Sequence, residues 1–157
     1  MSDTPTKEQL QQIHRGFAAQ CFNACWDLID KHDRSAQDDE TMRRLAEVSL
    51  WHWTQVTDHT ALQMSVGYWQ LSRVYAISGL CERALDYAEH CMAVSSAAEL
   101  AVFYRAYAWE ARARALATCG QHEEAASAIR NARDLAAEVE DAESRAMLEK
   151  DLDSISA

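Results

Sequence analysis

Gly79 and Gly120 stand 41 residues apart, and the residues around them correspond. With the two glycines superposed, Tyr68 falls on Trp109, Ser72 on Ala113 and Tyr75 on Leu116. Beyond the glycine, Ala84 falls on Ala125, Ala88 on Ile129 and Cys91 on Ala132. Self-similarity at such a period marks a repeated unit that cannot bury its apolar face alone and must stack on its neighbours. The small residues Ser72, Ala84, Ala113 and Ala125 let two helices cross closely, while the aromatic side chains fill the gaps between them. Breakers are scarce elsewhere: Pro5 is the only proline and there are 4 glycines, which favours long helices over strands and turns.

The helical period can be followed along the whole chain. Thr4-Pro5 suits a helix start, because proline is tolerated at the first helical position. Leu10, Ile13, Phe17, Cys21 and Leu28 recur at helical spacing, predicting a helix over about 6–30. A second helix runs to about residue 56, with Met42, Leu45, Ala46, Ser49, Trp53 and Val56 on one face. The third carries Leu62, Leu71 and Tyr75 and stops at Gly79; the fourth restarts at Leu80 with Ala84, Leu85, Ala88, Cys91 and Met92. Ser96-Ala97-Ala98-Glu99 has the spacing of a capping box, which predicts a fifth helix from Glu99 to Thr118. Phe103, Tyr104, Tyr107, Trp109 and Leu116 cannot share one face of it, so this helix is expected at the centre. Ala125, Ile129, Ala132, Leu135 and Val139 give a sixth stripe. Leu148, Leu152 and Ile155 give a last one, over about 142–155, among charges, as in a helix that covers the end of a stack. The expectation is one all-α domain over 1–157, with residues 1–5 disordered and about seven helices in stacked antiparallel hairpins closed by a C-terminal capping helix.

The segments GYWQLSRVYAISGLCERALDYAEHC and AWEARARALATCGQHEEAASAIRNA resemble the tetratricopeptide repeat. They share its early aromatic, its small residue at the helix crossing, its turn glycine and the alanine spacing that follows. The resemblance covers about 62–139, and the interval of 41 residues departs from the family's usual length. A second resemblance, to a family of bacterial proteins of this size, rests on Asn23, Trp26, Leu28, Arg34, Asp39, Met42, Ala46, Ser49, His52, Trp53 and Asp151-Leu152; it implies the fold and no particular activity. The tetratricopeptide resemblance implies a concave surface lined by the first helix of each pair and able to hold a protein or peptide. By position, Val66, Trp69 and Arg73 would face that groove from one pair, and Tyr107, Glu110 and Arg114 from the next. Aromatic area beside arginine suits recognition of an acidic peptide. The same residues also fit a closed core in which the arginines pair with nearby acids.

The formal net charge of −10 disfavours nucleic acid and anionic membrane as partners. No apolar run approaches the roughly 18 residues that span a bilayer, and 5 cysteines without a secretory signal point to reduced thiols in the cytoplasm. Cys21 and Cys25 share a helix face with His14, but His14 lies two turns from Cys21, an axial rise of about 10.5 Å. That trio therefore makes no metal site, and no motif calls for a cofactor. His52 lies three positions after Ser49, on the same face, without an acidic orienter or an oxyanion-hole motif. A non-catalytic interaction module is the favoured function. A small-molecule binder or enzyme with a pocket among the first three helices, near Asn23, Ser49, His52 and Trp69, is the alternative. Apolar helical faces at an open end of the stack leave a homo-oligomer as a third reading.

Overall fold

The computed structural model describes residues 4–156, so residues 1–3 of the expected disordered start lie outside the described residues. Seven helices follow one another: α1 (Lys7–Ile29), α2 (Ala36–Thr54), α3 (Ala61–Ile77), α4 (Cys81–Ala97), α5 (Val102–Thr118), α6 (His122–Ala136) and α7 (Ala142–Asp153). Among the described residues there is no strand. Consecutive helices pair as α1–α2, α3–α4 and α5–α6, the pairs stack through α2–α3 and α4–α5, and α7 closes on α5 and α6. No helix is long and apolar enough to cross a membrane among the described residues.

The two superposed glycines do the same work at the same place. Gly79 has φ +72° and Gly120 φ +73°, in the left-handed region that costs glycine little. The Gly79 amide donates to the Ala76 carbonyl and the Leu80 amide to Tyr75; the Gly120 amide donates to Ala117 and the Gln121 amide to Leu116. Each pair satisfies carbonyls left open at the helix end and turns the chain back on itself. The small residues then do their part: Ser72, Ala84, Ala113 and Ala125 are all buried, and the Ser72 hydroxyl donates to the Ala84 carbonyl at 2.9 Å. α5 is central, as expected, but through its alanines: Ala106, Ala108, Ala111, Ala113 and Ala115 are buried, while its aromatic residues are half-buried.

Helix starts follow local capping chemistry. Thr6, Ser35 and Thr60 cap α1, α2 and α3, each in a reciprocal capping box with Gln9, Asp38 and Gln63. Thr6, and not the Thr4-Pro5 pair, therefore opens the first helix. The expected capping box at Ser96–Glu99 does not form. Ser96 belongs to the last turn of α4, and α5 starts at Val102 without a side-chain cap. The reason is a third turn of the glycine type. The Glu99 amide donates to Ser96, the Leu100 amide donates to Ser95, and Glu99 takes φ +48°.

Two further expectations are corrected. Cys81 and Cys119 are joined in a disulfide, with Cα atoms 5.1 Å apart, so the cysteines are not all reduced; Cys21, Cys25 and Cys91 are free. And the first part of the α1 stripe faces outward. Leu10, Ile13 and Phe17 are 41%, 45% and 48% exposed, with Trp51 of α2 beside them at 54%, because this hairpin is the end of the stack. The apolar period there records a face that no helix among the described residues covers.

Because a side chain in the left-handed region costs about 1–2 kcal/mol, Glu99→Gly is expected to stabilise the fold by about 0.5–1 kcal/mol after glycine's entropy cost. Thermal unfolding should move up by about 1–4 °C; an unchanged or lower midpoint would show that Glu99 is relaxed in its turn.

Candidate functional site

The odd-numbered helices share one side of the stack, and their side chains meet around a buried carboxylate. Glu110 of α5 is fully buried. Its Oε1 accepts from Arg73 Nη1 at 3.0 Å and from Arg114 Nε at 2.8 Å, and its Oε2 accepts from Trp69 Nε1 at 2.8 Å. α7 adds a second carboxylate: Asp151 accepts from Arg73 Nη2 at 3.2 Å and from the Tyr107 hydroxyl at 2.9 Å. The Arg114 guanidinium also donates to the Asp151 carbonyl and the Ser154 hydroxyl, both at 2.9 Å. Two carboxylates thus balance two guanidinium groups. Burial raises the Tyr107 phenol well above its usual range, and the neighbouring Asp151 charge pushes it further the same way.

Helical register assembles this network. Tyr107, Glu110 and Arg114 sit three and four residues apart on one face of α5, and Trp69 and Arg73 are four apart on α3. Five of the six residues assigned to the groove therefore meet in one place, and the arginines are engaged within the chain. Val66 is elsewhere. It lines a cavity of about 190 Å³ between α1, α2 and α3 with Phe22, Asn23, Trp53 and Gly67.

What remains open on the shared side is an aromatic recess. A cavity of about 210 Å³ is lined by Trp26, Trp69, Phe103, Tyr104 and Tyr107, with Met147 and Asp151 from α7. The rings form a corner: Trp69 and Tyr107 meet at 77°, Phe103 and Tyr107 at 73°, and Trp26 lies 5.5 Å from Trp69. Met147 is 51% exposed at its edge. Trp26, Phe103, Tyr104, Met147 and Asp151 join this site beyond the residues that the repeat resemblance places in the groove. The signal for Phe103 was available, since it stands four residues before Tyr107.

Ser49 and His52 do not work together. The Ser49 hydroxyl is buried and donates to the Ala18 carbonyl at 2.8 Å, a contact between α1 and α2. His52 turns toward the outer face, where its Nδ1 lies 2.8 Å from Nδ1 of His14 and Phe17 stacks on its ring at 5.4 Å. Asn23 lines the α1–α3 cavity, away from the imidazole. Burial, and then the neighbouring His14, lower the His52 pKa below its usual value. No family model, curated protein or solved structure matches the chain.

Removing the central carboxylate strands two guanidinium groups, so Glu110→Ala is expected to cost about 3–5 kcal/mol, read as a lower denaturant midpoint. An unaltered midpoint would show that the arginines find other acceptors. His52 gives a second expectation. Its folded pKa is below the unfolded value, so the unfolded chain takes up the proton first and stability is lost as pH falls below about 6.5. Plotted against pH, the melting temperature of His52→Gln should fall less steeply than wild type between about 6.5 and 5; parallel curves would remove His52 from the acid response.

Proposed function

We infer that the chain is a non-catalytic binding module of the tetratricopeptide-like kind, which seats one apolar or aromatic group of a protein or peptide partner in the recess on its shared helix side. The observation that carries this reading is the recess itself. Five aromatic side chains from α1, α3 and α5 surround a cavity of about 210 Å³, and rigid aromatic pockets of this kind are where binding energy concentrates. The buried Glu110 network holds Trp69 and Tyr107 from behind, so the rings are positioned before the partner arrives and little ordering cost remains. With Arg73 and Arg114 engaged inside the chain, the acidic net charge of −10 favours a partner segment with basic residues beside its anchor. This reverses the acidic peptide that exposed arginines would have suited.

A second reading is supported by the separate cavity of about 190 Å³ beside Asn23, Trp53 and Val66. It has the place, between the first three helices, of a small-molecule pocket, though His52 is not part of it.

The test is a panel of peptides carrying a leucine, phenylalanine or tryptophan anchor next to lysine or arginine, titrated against tryptophan emission. Binding should shift emission from Trp26 and Trp69. Phe103→Ala and Met147→Glu, each folded by circular dichroism, should weaken binding at least about tenfold, as loss of a central anchor contact does. Peptides that bind both variants as well as wild type, or a panel with no binder, would refute the reading.

A further inference from the structure

The outer face of the first hairpin holds a second arrangement, unrelated to the recess. His14 of α1 and His52 of α2 lie 38 residues apart in sequence, and their Nδ1 atoms approach to 2.8 Å. Two neutral imidazoles at this distance share one hydrogen, so one Nδ1 carries a lone pair directed at its neighbour. If both rings keep their proton on Nε2, both Nδ1 lone pairs point into the same small space. No proton is gained or lost in that rearrangement.

Two such lone pairs from one hairpin are donors of the kind a borderline divalent metal takes. Zinc binds imidazole nitrogen at about 2.0–2.1 Å, and a tetrahedral site places two such nitrogens about 3.3 Å apart. The observed pair is closer by only about half an ångström, a change within reach of small side-chain rotations. The helices that carry the two rings are packed together: the Ser49–Ala18 hydrogen bond ties α1 to α2 one turn away. Phe17 stacks on His52 and Trp51 sets its edge against His14 at 5.7 Å, which holds the rings in place.

The site is half of a tetrahedron. Among the described residues no group of three or more histidine, cysteine or acidic side chains is placed to hold a metal, so the described residues supply two ligands and leave two positions open. The surroundings of the two rings are apolar and uncovered. Ile13, Phe17 and Trp51, at 45%, 48% and 54% exposure, flank the two imidazoles on a face that no helix among the described residues covers. A two-fold axis through the metal would bring a second pair of imidazoles to the open positions and bury the same apolar side chains of both copies against each other.

We propose that His14 and His52 form half of a zinc site that is completed by His14 and His52 of a second copy, joining two chains through the outer face of the first hairpin. Four neutral imidazoles around one zinc leave a local charge of +2 between two chains that each carry −10. The metal therefore offsets a repulsion that opposes the pair without it, and association through this face depends on the ion.

Light scattering coupled to size exclusion, with zinc chloride titrated into chelator-treated full-length chain, tests this directly. The expected result is a change from 17.7 kDa to about twice that mass, at about 0.5 zinc per chain by calorimetry, reversed by EDTA. His14→Gln and His52→Gln, which keep a hydrogen-bonding side chain, should abolish both the heat and the mass change while the helical circular dichroism stays. Cys21→Ser should leave both intact. The proposal is overturned by one zinc per chain without a change in mass, or by a mass that stays at one chain throughout. It is equally overturned by a zinc-dependent dimer that survives in either histidine variant or is lost in Cys21→Ser.

Discussion

A carboxylate without water governs the shared side of this stack. Glu110 has no exposure, and an unpaired charge in that position would be untenable. Its partners are therefore dictated: Arg73 from α3, Arg114 one turn along α5 and the indole of Trp69. Each partner in turn constrains another element. Arg73 and Arg114 reach α7 through Asp151 and Ser154, so the terminal helix is registered by polar contacts as well as by Leu148 and Leu152. An array of small-residue helix crossings has little to distinguish one sliding position from the next. The ion network supplies that distinction, because a slid register would part the buried Glu110 from Arg73, and Asp151 from Arg73 and Arg114.

The same network decides which surfaces remain for binding. In an open groove, arginines would meet the partner directly. Here they are spent inside, and the surface that faces outward is aromatic. Its character changes from a charged channel to a recess for a single group. The outer face of α1 and α2 has the opposite history, since its apolar residues were never covered. The chain thus presents two chemically different regions at two places: an aromatic recess under α7 and an apolar, imidazole-bearing end.

The architecture was legible in the sequence because it rests on local chemistry. The period of apolar residues gives the helices, and Gly79 and Gly120 give two turns by their unique tolerance of positive φ. Glu99 shows the limit of that logic. It occupies the same backbone region without the residue that announces it, and the Ser96–Glu99 spacing around it spells a helix start instead. Exposure was not legible either. Leu10, Ile13 and Phe17 have the spacing of a buried stripe, and only the position of the hairpin at the end of the stack turns them outward. At the site, i to i+4 relations within a helix were readable, as with Glu110 and Arg114. Relations between helices were not, and so His14 meeting His52 and Asp151 meeting Arg73 emerge only in three dimensions.

The Cys81–Cys119 bond bears on how such a stack deforms. Hairpin arrays flex by letting neighbouring units fan apart along one edge, since each unit touches only the next. Cys81 opens α4 and Cys119 follows α5, so the staple lies across the turn edge where the second and third hairpins would separate. That pair is hinged shut on one border. The junction of α2 with α3 has no such staple and is held by packing, with Cys25, Met42 and Ala46 of the first hairpin in one buried cluster with Leu71, Val74 and Tyr75 of the second.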